Sequence, residues 1–434
     1  MGFQQGLSGL NVSSKNLEVI GNNVANANTY GAKASRAEFA DMYAASLGGG
    51  GSNGIGIGAR VAAVSQQFSQ GNISTTSNNL DLAINGQGFF ALATPQGETV
   101  YSRNGQFKQD ASGYLVNNSK HQLLGQALDA NGAPAGPAGT PIQLANDSFP
   151  PEKASAITIT ANMDARATSI PTTTAIDFSN AKTYNFVTSQ TAYGDNGAPI
   201  AINYYFKKIT DATPGDATQT PPDPGTGGTW EVYMSADGNT NAASVQVDGS
   251  GVPTPIGTMT FNADGSLPTG TVFTVDSIPG GKNGQPLTGV TIDMGKTTEY
   301  SGSYAVTNLE GGGYAQGNLS DFVIGTDGTV LARYTNGQSK PIARVQLATF
   351  KNLNGLEPVG DNEWKSTAAS GAPLPLGSPG SGVYGQLQSG ALEESNVDLT
   401  GELVNMIVAQ RAYQANAQTI KTEDQIQQTL VNLR

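Results

Sequence analysis

Two stretches of helical periodicity stand at the ends of this chain, and everything between them reads as β-structure. From Phe3 to Val24 the apolar residues Phe3, Leu7, Leu10, Leu17, Ile20 and Val24 recur at spacings of 3, 4 and 7, which places them on one helical face. From Leu399 the series runs Leu399, Leu403, Met406, Ile407, Tyr413, Ala417, Ile420, Ile426, Leu430 and Leu433. Asp398 or Ser395 is placed to cap the start of this second helix. At 1.5 Å per residue, segments of about 25 and about 36 residues make rods of about 37 and 54 Å. Neither rod has a hydrophobic partner beside it in sequence.

The first helix argues for packing among other helices. Gly6, Gly9 and Gly21 each cost about 1 kcal/mol relative to alanine. Its polar face carries Ser8, Asn11, Ser13, Asn16 and Asn22, with only Lys15 and Glu18 charged. Isolated helices of this kind are weak in water. The stripe is therefore expected to gain its stability by burial against the C-terminal helix and against neighbouring copies.

The middle is punctuated as β-structure is. Ile157–Thr160, Ala201–Phe206, Trp230–Met234 and Val345–Phe350 are short, alternating and β-prone. Asn85-Gly86, Asn104-Gly105, Asp237-Gly238, Asp264-Gly265, Asp327-Gly328 and Asn336-Gly337 mark turns. Tyr334–Gln338 followed by Ile342–Phe350 reads as a hairpin. Linkers are expected at Gly48–Gly51 with Gly54–Gly58, at Thr220–Gly225, and at Ser370–Gly382. The order is helix, β, β insertion, β, helix, with both ends meeting.

Composition removes most chemistry. The chain has no cysteine, so disulfides, thiolate metal sites and cysteine nucleophiles are excluded. One histidine leaves almost nothing for histidine metal sites or a Ser-His-Asp triad. Charged residues make up 13% of the chain, about half the usual ~25%. A net charge of −12 argues against a nucleic-acid partner. No apolar run approaches the ~18 residues that span a bilayer, and no cleaved secretory signal is expected at the start.

The remaining motifs read as structure. Gly54-Ile55-Gly56-Ile57-Gly58 lacks the preceding strand and the acidic ribose partner of a dinucleotide loop. Gly295-Lys296-Thr297 ends like a phosphate loop, but Val290 stands where that loop needs glycine, so a polar turn is expected. His121 follows the polar run Asn117-Asn118-Ser119-Lys120 and reads as a surface or loop histidine. Trp230 and Trp364 are read as core anchors. No catalytic residue, metal or cofactor is expected; paired carboxylates for glycoside hydrolysis are a weak reading in a chain so poor in charge.

Four blocks carry a family resemblance. Ser8-Gly9-Leu10 with the run Gly21–Gly31, including Asn22, Asn23, Asn26, Asn28 and Thr29, resembles the N-terminal signature of flagellar rod and hook proteins. Leu80–Phe90, with Asn85, Gly86, Gly88, Phe89 and Phe90, is similar to the next block, and Tyr101–Phe107 with Asp110, Gly113, Tyr114 and Leu115 to the one after. Gly385–Leu399, with Ser395, Asn396, Val397 and Asp398, leads into Val408–Asn416 and resembles the C-terminal signature. The length and the middle resemble the hook branch, since rod proteins lack a long insertion. The sequence departs at Asn118-Ser119-Lys120-His121, where relatives carry a glycine-containing turn.

The resemblance implies a multidomain α + mainly β fold. Paired, coiled-coil-like terminal helices (1–28 plus 395–434) would form an inner layer, followed by a linker region (29–72 plus 363–394). A nested inner β-domain (73–145 plus 295–362) and an outer β-domain (146–294) would lie outside them. It implies a structural subunit, not an enzyme, polymerising into the curved hollow hook that joins rod to filament as a universal joint. The implied interface is Phe3, Leu7, Leu10, Leu17, Ile20, Val24, Leu399, Leu403, Met406, Ile407, Tyr413, Ile420 and Leu430. The implied partners are further copies of the chain, the distal rod protein, the hook cap protein, the hook–filament junction protein and the type III export apparatus. Membrane insertion is not implied, and the location would be the hook/basal body after export. A distal-rod-type axial protein is the alternative within the family. Outside it stand a surface adhesin or carbohydrate-binding β-protein and an extracellular hydrolase, neither of which needs matched helical ends.

Overall fold

A computed structural model describes residues 2–42, 56, 58–216, 218, 223–236, 246–247, 251–268, 271–279 and 286–432. The expected linker at 48–51, residues 220–222 of the expected Thr220–Gly225 linker, most of the 54–58 glycine run, the Asp237-Gly238 turn and Leu433 lie outside them, while residues 223–225 are not linker but the start of the strand Asp223–Ala236. The chain forms two compact units: Met1–Asn146 with Ser320–Arg333 and Ser339–Arg434, and Asp147–Leu319 with Tyr334–Gln338.

Both terminal helices are present. Helix α1 spans Gly2–Ala25 and helix α2 spans Leu399–Asn432. α1 stops where asparagines compete with the backbone: Asn26 Nδ2 folds back onto the Asn22 carbonyl at 3.0 Å. Gly31 then turns the chain at φ 72°, where a Cβ would lie 2.5 Å from the Asn104 nitrogen. Of the two candidate caps for α2, Asp398 is the one used. Its Oδ1 accepts the Thr400 N–H at 3.1 Å, while Ser395 Oγ accepts Val397 N–H just ahead of the helix.

The two helices run antiparallel, Gly6 facing Ile420 and Asn23 facing Glu402. The glycines act differently here from the cost expected of them. A Cβ on Gly6 would come 2.9 Å from Ile420 Cγ1, and one on Gly9 would come 2.7 Å from Asn416 Oδ1. Their absent side chains let the helices close on each other. Gly21 has nothing within 4 Å, so its cost stands without such a return.

Between the helices and the β core of the first unit lies a ribbon that the linker reading did not contain. Strand β1 (Ser35–Met42) pairs antiparallel with strand β2 (Gly58–Gln66), with an irregularity at Glu38/Phe39. The core itself is a twelve-stranded sheet whose main path runs Leu319–Ile324, Thr329–Tyr334, Ser339–Val345, Gln122–Ala127, Phe89–Ala93, Thr99–Ser102, Glu363–Lys365 and Glu357–Gly360. Phe89, Tyr101, Phe350 and Trp364 pack at its centre, with Phe68 edge-on to Phe89 and Trp364. The expected hairpin forms, Thr329 pairing with Arg344 and Arg333 with Ser339. The expected single strand Val345–Phe350 does not. It breaks at buried Gln346, because Val345 pairs with Gly125 whereas Leu347 pairs with Phe90.

The second unit contains two five-stranded sheets whose inner faces share one core, including Ile157, Ile159, Met163, Tyr204, Phe206 and Trp230. Ala156–Asp164 pairs in parallel with Leu287–Asp293 and Thr298–Tyr300, and antiparallel with Ala305–Glu310. Residues 298–310, expected on the path back to the inner domain, thus belong to the sheet of this unit. Gly295 and Lys296 form the polar turn between two of its strands.

Candidate assembly site

The helix pair leaves much of its apolar surface outside. Ala409 and Ile20 are buried, and Leu10, Leu17, Val24, Met406 and Ile420 are half-buried. Phe3, Leu7, Leu399, Leu403, Ile407 and Tyr413 are exposed, joined by Val404 and Val408, which the periodicity did not single out. The side chain of Leu430 lies outside the described residues. The contact between the helices also uses small and polar groups beside Ile420. Asn416 Nδ2 reaches Ser13 Oγ at 3.3 Å, and Asn23 Nδ2 reaches Glu402 Oε1 at 3.1 Å. In a single chain the expected interface residues are therefore divided, some between the helices and the rest facing outward.

A buried ion cluster sits at the junction where α1 ends and α2 begins. Glu393 Oε1 meets Lys33 Nζ at 2.6 Å, and Oε2 meets Arg103 Nη1 at 2.9 Å. Gly71 N–H donates to Oε1 at 3.0 Å, and the Glu393 carbonyl accepts Gly31 N–H at 2.8 Å. Burial pulls the Lys33 ammonium and the Arg103 guanidinium below their usual pKa ranges, and the Glu393 carboxylate opposes that fall. Arg103 Nη2 also donates to the Gly86 carbonyl at 2.8 Å, and its guanidinium lies 5.4 Å over the Phe89 ring. This gives the Asn85–Phe90 signature a physical role. Gly86 and Gly88, at φ 114° and 130°, set the turn beside Arg103, and Phe89 and Phe90 anchor it in the core.

Two signature asparagines complete the junction. Asn396 Oδ1 accepts Ala34 N–H at 2.8 Å while its Nδ2 donates to the carbonyls of Gln67 and Ser69 at 2.7 and 3.1 Å. Buried Asn23 pairs with the Ser35 backbone through both side-chain atoms, at 2.7 and 2.8 Å. Asn22 and Asn28 are exposed, and Thr29 and Val397 are half-buried. Lys33, Arg103 and Glu393 were not read as site residues. Their signal is weak but present: three charges within or beside the family-like blocks of a chain that has few.

His121 lies in a loop, as the reading of a surface or loop histidine allows, and is half-buried there. Its Nδ1 lies 3.0 Å from both oxygens of Glu363, whose side chain is 3% exposed. Asn117 Nδ2 donates to the same carboxylate at 2.6 Å. Lys120 adopts φ 62°, the left-handed conformation that glycine tolerates best. Both tryptophans anchor cores. Trp230 Nε1 donates to Glu299 at 3.0 Å and Trp364 Nε1 to Gln66 at 2.6 Å.

Four family models match in order along the chain. They are the flagella basal body rod protein at 3–33, the flagellar hook protein FlgE/F/G D1 domain at 83–173, the flagellar basal body protein FlaE D2 domain at 162–314, and the flagellar basal body rod FlgEFG protein C-terminal domain at 388–433. The flagellar hook protein FlgE of Salmonella typhimurium is 40% identical over 444 residues, covering 100% of both chains. The chain belongs to the flagellar hook protein family. The hook protein FlgE of Escherichia coli is 39% identical over 442 residues with the same coverage, and that of Treponema pallidum 28% identical over 466 residues. The crystal structure of Helicobacter pylori flagellar hook protein FlgE2 matches 74% of this chain and 100% of its own, with TM-score 0.50 at 14% identity, a likeness of fold. Among the described residues no helix is long and apolar enough to cross a membrane.

Proposed function

We propose that this hook-family chain is a structural subunit that polymerises into the curved hollow hook, transmitting torque from rod to filament. The observation that carries the reading is the outward apolar surface of the terminal helices. Leu403, Val404, Ile407 and Val408 are each 45% or more exposed in a single chain, on a helix whose own partner contact is small and polar. Burying one such side chain contributes about 1.5–3 kcal/mol, so further copies are the natural cover. Full-length relatives named as hook proteins support a non-enzymatic role.

In this reading the helix pair forms the inner layer, the ribbon and the junction connect it to the first β unit, and the 147–319 unit tunes tube shape from outside. Few surface charges suit contacts that slide as the tube turns, because strong charge pairs would lock one geometry. The distal rod, hook cap and hook–filament junction proteins are the neighbours expected at the ends of the tube, and type III export the route to it. The adhesin and hydrolase readings leave the matched helical ends without a use.

Electron microscopy of the purified chain under polymerising conditions tests the reading. Curved tubes are expected. Leu403→Asp alters an exposed residue, so the monomer's melting should change by about 0.5 kcal/mol or less, while tube formation is lost. Soluble monomer from the unmodified chain, or tubes from Leu403→Asp, would sink the proposal.

A further inference from the structure

We propose that the second unit opens on one side, the edge strand Phe186–Tyr193 lifting away while the other side of the sandwich stays clasped. Such opening is a property of this unit alone, whatever the chain assembles into. The clasp joins the two sheets through buried polar groups. Glu299, on the strand Thr298–Tyr300 of one sheet, accepts Gly228 N–H at 2.7 Å and Trp230 Nε1–H at 3.0 Å from the other. Lys208 Nζ lies 3.6 Å from the same carboxylate and donates to the Ala165 carbonyl at 2.7 Å. The side chains of Lys208 and Glu299 are 2% and 3% exposed, and in such surroundings paired polar groups attract strongly. A Cβ on Gly228 would come 2.4 Å from Glu299 Oε1, so the carboxylate sits directly against the facing backbone. Glu299 N–H adds a backbone bond to the Gly265 carbonyl at 2.8 Å.

The opposite side is built differently. Phe186–Tyr193 ends its sheet, pairing with Pro199–Thr210. Phe186 stacks on Tyr304 at 4.4 Å, and Ala154 N–H reaches the Tyr193 carbonyl at 2.9 Å, so the strand is held at its two ends. Between them lies Gln190, 8% exposed, whose amide oxygen and nitrogen both lack a hydrogen-bond partner among the described residues. A Cβ on Gly311 would fall 2.4 Å from that nitrogen, so the facing chain packs against the amide without pairing it. Tyr204, opposite Thr188 in register and fully buried, likewise carries an unpartnered hydroxyl. Lifting the strand gives water access to these groups, and their uncompensated desolvation in the closed unit therefore favours opening. Breaking the clasp would instead leave buried charges without partners. One side is thus the weak one, opening locally at less cost than unfolding the whole unit.

Hydrogen exchange of the full chain, read by mass spectrometry, tests the opening. The protected amides of Phe186–Tyr193 are expected to exchange about tenfold or more faster than those of Trp230–Met234. Gln190→Leu and Tyr204→Phe each remove an unpartnered polar group, and each should slow exchange at Phe186–Tyr193 by about fivefold or more. Glu299→Gln weakens the clasp, which stays closed when the strand lifts. It should therefore speed exchange at Trp230–Met234 and leave Phe186–Tyr193 unchanged. Equal acceleration of both segments by Glu299→Gln would show that the strand leaves only when the whole unit unfolds, and would overturn the proposal. So would an unchanged rate at Phe186–Tyr193 in both Gln190→Leu and Tyr204→Phe.

Discussion

Replacing Glu393 by glutamine isolates the ion cluster at the helix junction. The side chains of Lys33 and Glu393 are 0% exposed and that of Arg103 is 5% exposed. In Glu393→Gln the amide oxygen can still accept from Lys33 and from Gly71 N–H. The amide nitrogen then faces Arg103 Nη1, donor against donor, and two buried cations lose their counter-charge. Removing one partner of such a cluster costs about 3–5 kcal/mol. With a urea m-value of about 3 kcal/mol/M for a unit of this size, the first unit's midpoint should fall by about 1–1.7 M. Trp364 reports on this unit, and a Trp230→Phe background isolates its fluorescence. The deficit should also depend on pH. Lys33 has a lowered pKa when folded, so between that value and 10.5 the unfolded chain binds more protons and stability rises with pH. Without Glu393 the folded value falls further, the window widens downward, and the variant should recover part of its loss between pH 7 and pH 10. A combined Lys33→Met, Arg103→Met and Glu393→Leu variant should be far closer to the parent than Glu393→Gln, since exchanging a whole buried cluster for apolar groups is often neutral. A midpoint shift below about 0.3 M, or one that grows toward pH 10, would refute the reasoning.

Alkali should act first on the second unit. Burial pushes the Tyr304 hydroxyl up to about 12 and that of fully buried Tyr204 higher still. Their contribution is whole below pH 10 and lost as pH rises through the folded values, at up to about 1.4 kcal/mol per pH unit for each tyrosine; the last part of the tyrosinate absorbance, from the buried tyrosines, should appear together with unfolding rather than before it. Lys120→Gly relieves a left-handed lysine and should raise the first unit's stability by about 0.5–1 kcal/mol in thermal melts, whereas a loss would mean that Lys120 makes a contact worth more than the strain. Asn396→Ala removes the side-chain partner of the Ala34 N–H and of the Gln67 carbonyl and should cost about 2–3 kcal/mol, more than the ~1 kcal/mol expected of the cap variant Asp398→Ala. The reverse ranking in urea titrations would show that the cap, not the asparagine, holds the junction.

The helices were legible because a 3.6-residue period survives in sequence whatever the tertiary partner is. The turns were legible for a similarly local reason: Asp264-Gly265, Asp327-Gly328 and Asn336-Gly337 all place glycine at φ near 80°. What stayed hidden is non-local. The parallel pairing of Ala156–Asp164 with two strands more than 120 positions away leaves no periodic trace, and neither does the break at Gln346, which depends on which neighbour each side of the chain meets. The ribbon was hidden by its own composition, since β1 has weak alternation and the chain between β1 and β2 is rich in glycine. His121 and Glu363 are 242 positions apart, and each alone looks like an ordinary loop residue.

The glycines of α1 show why propensity and function point in different directions at such a site. By propensity Gly6 and Gly9 weaken the helix, and that remains true of the isolated segment. In the pair they remove the side chains that would hold α1 and α2 apart, and the contact they permit is made by Asn416, Ser13 and Ile420 instead of by a leucine seam. A leucine seam would have consumed the apolar residues of α2 inside one chain. A small, polar contact fixes the register of the pair, as the Asn416–Ser13 and Asn23–Glu402 bonds do, and Leu403, Val404, Ile407 and Val408 stay exposed in the single chain. The weakness of the lone helix and the apolar surface that the pair leaves exposed are thus two consequences of one choice of residues.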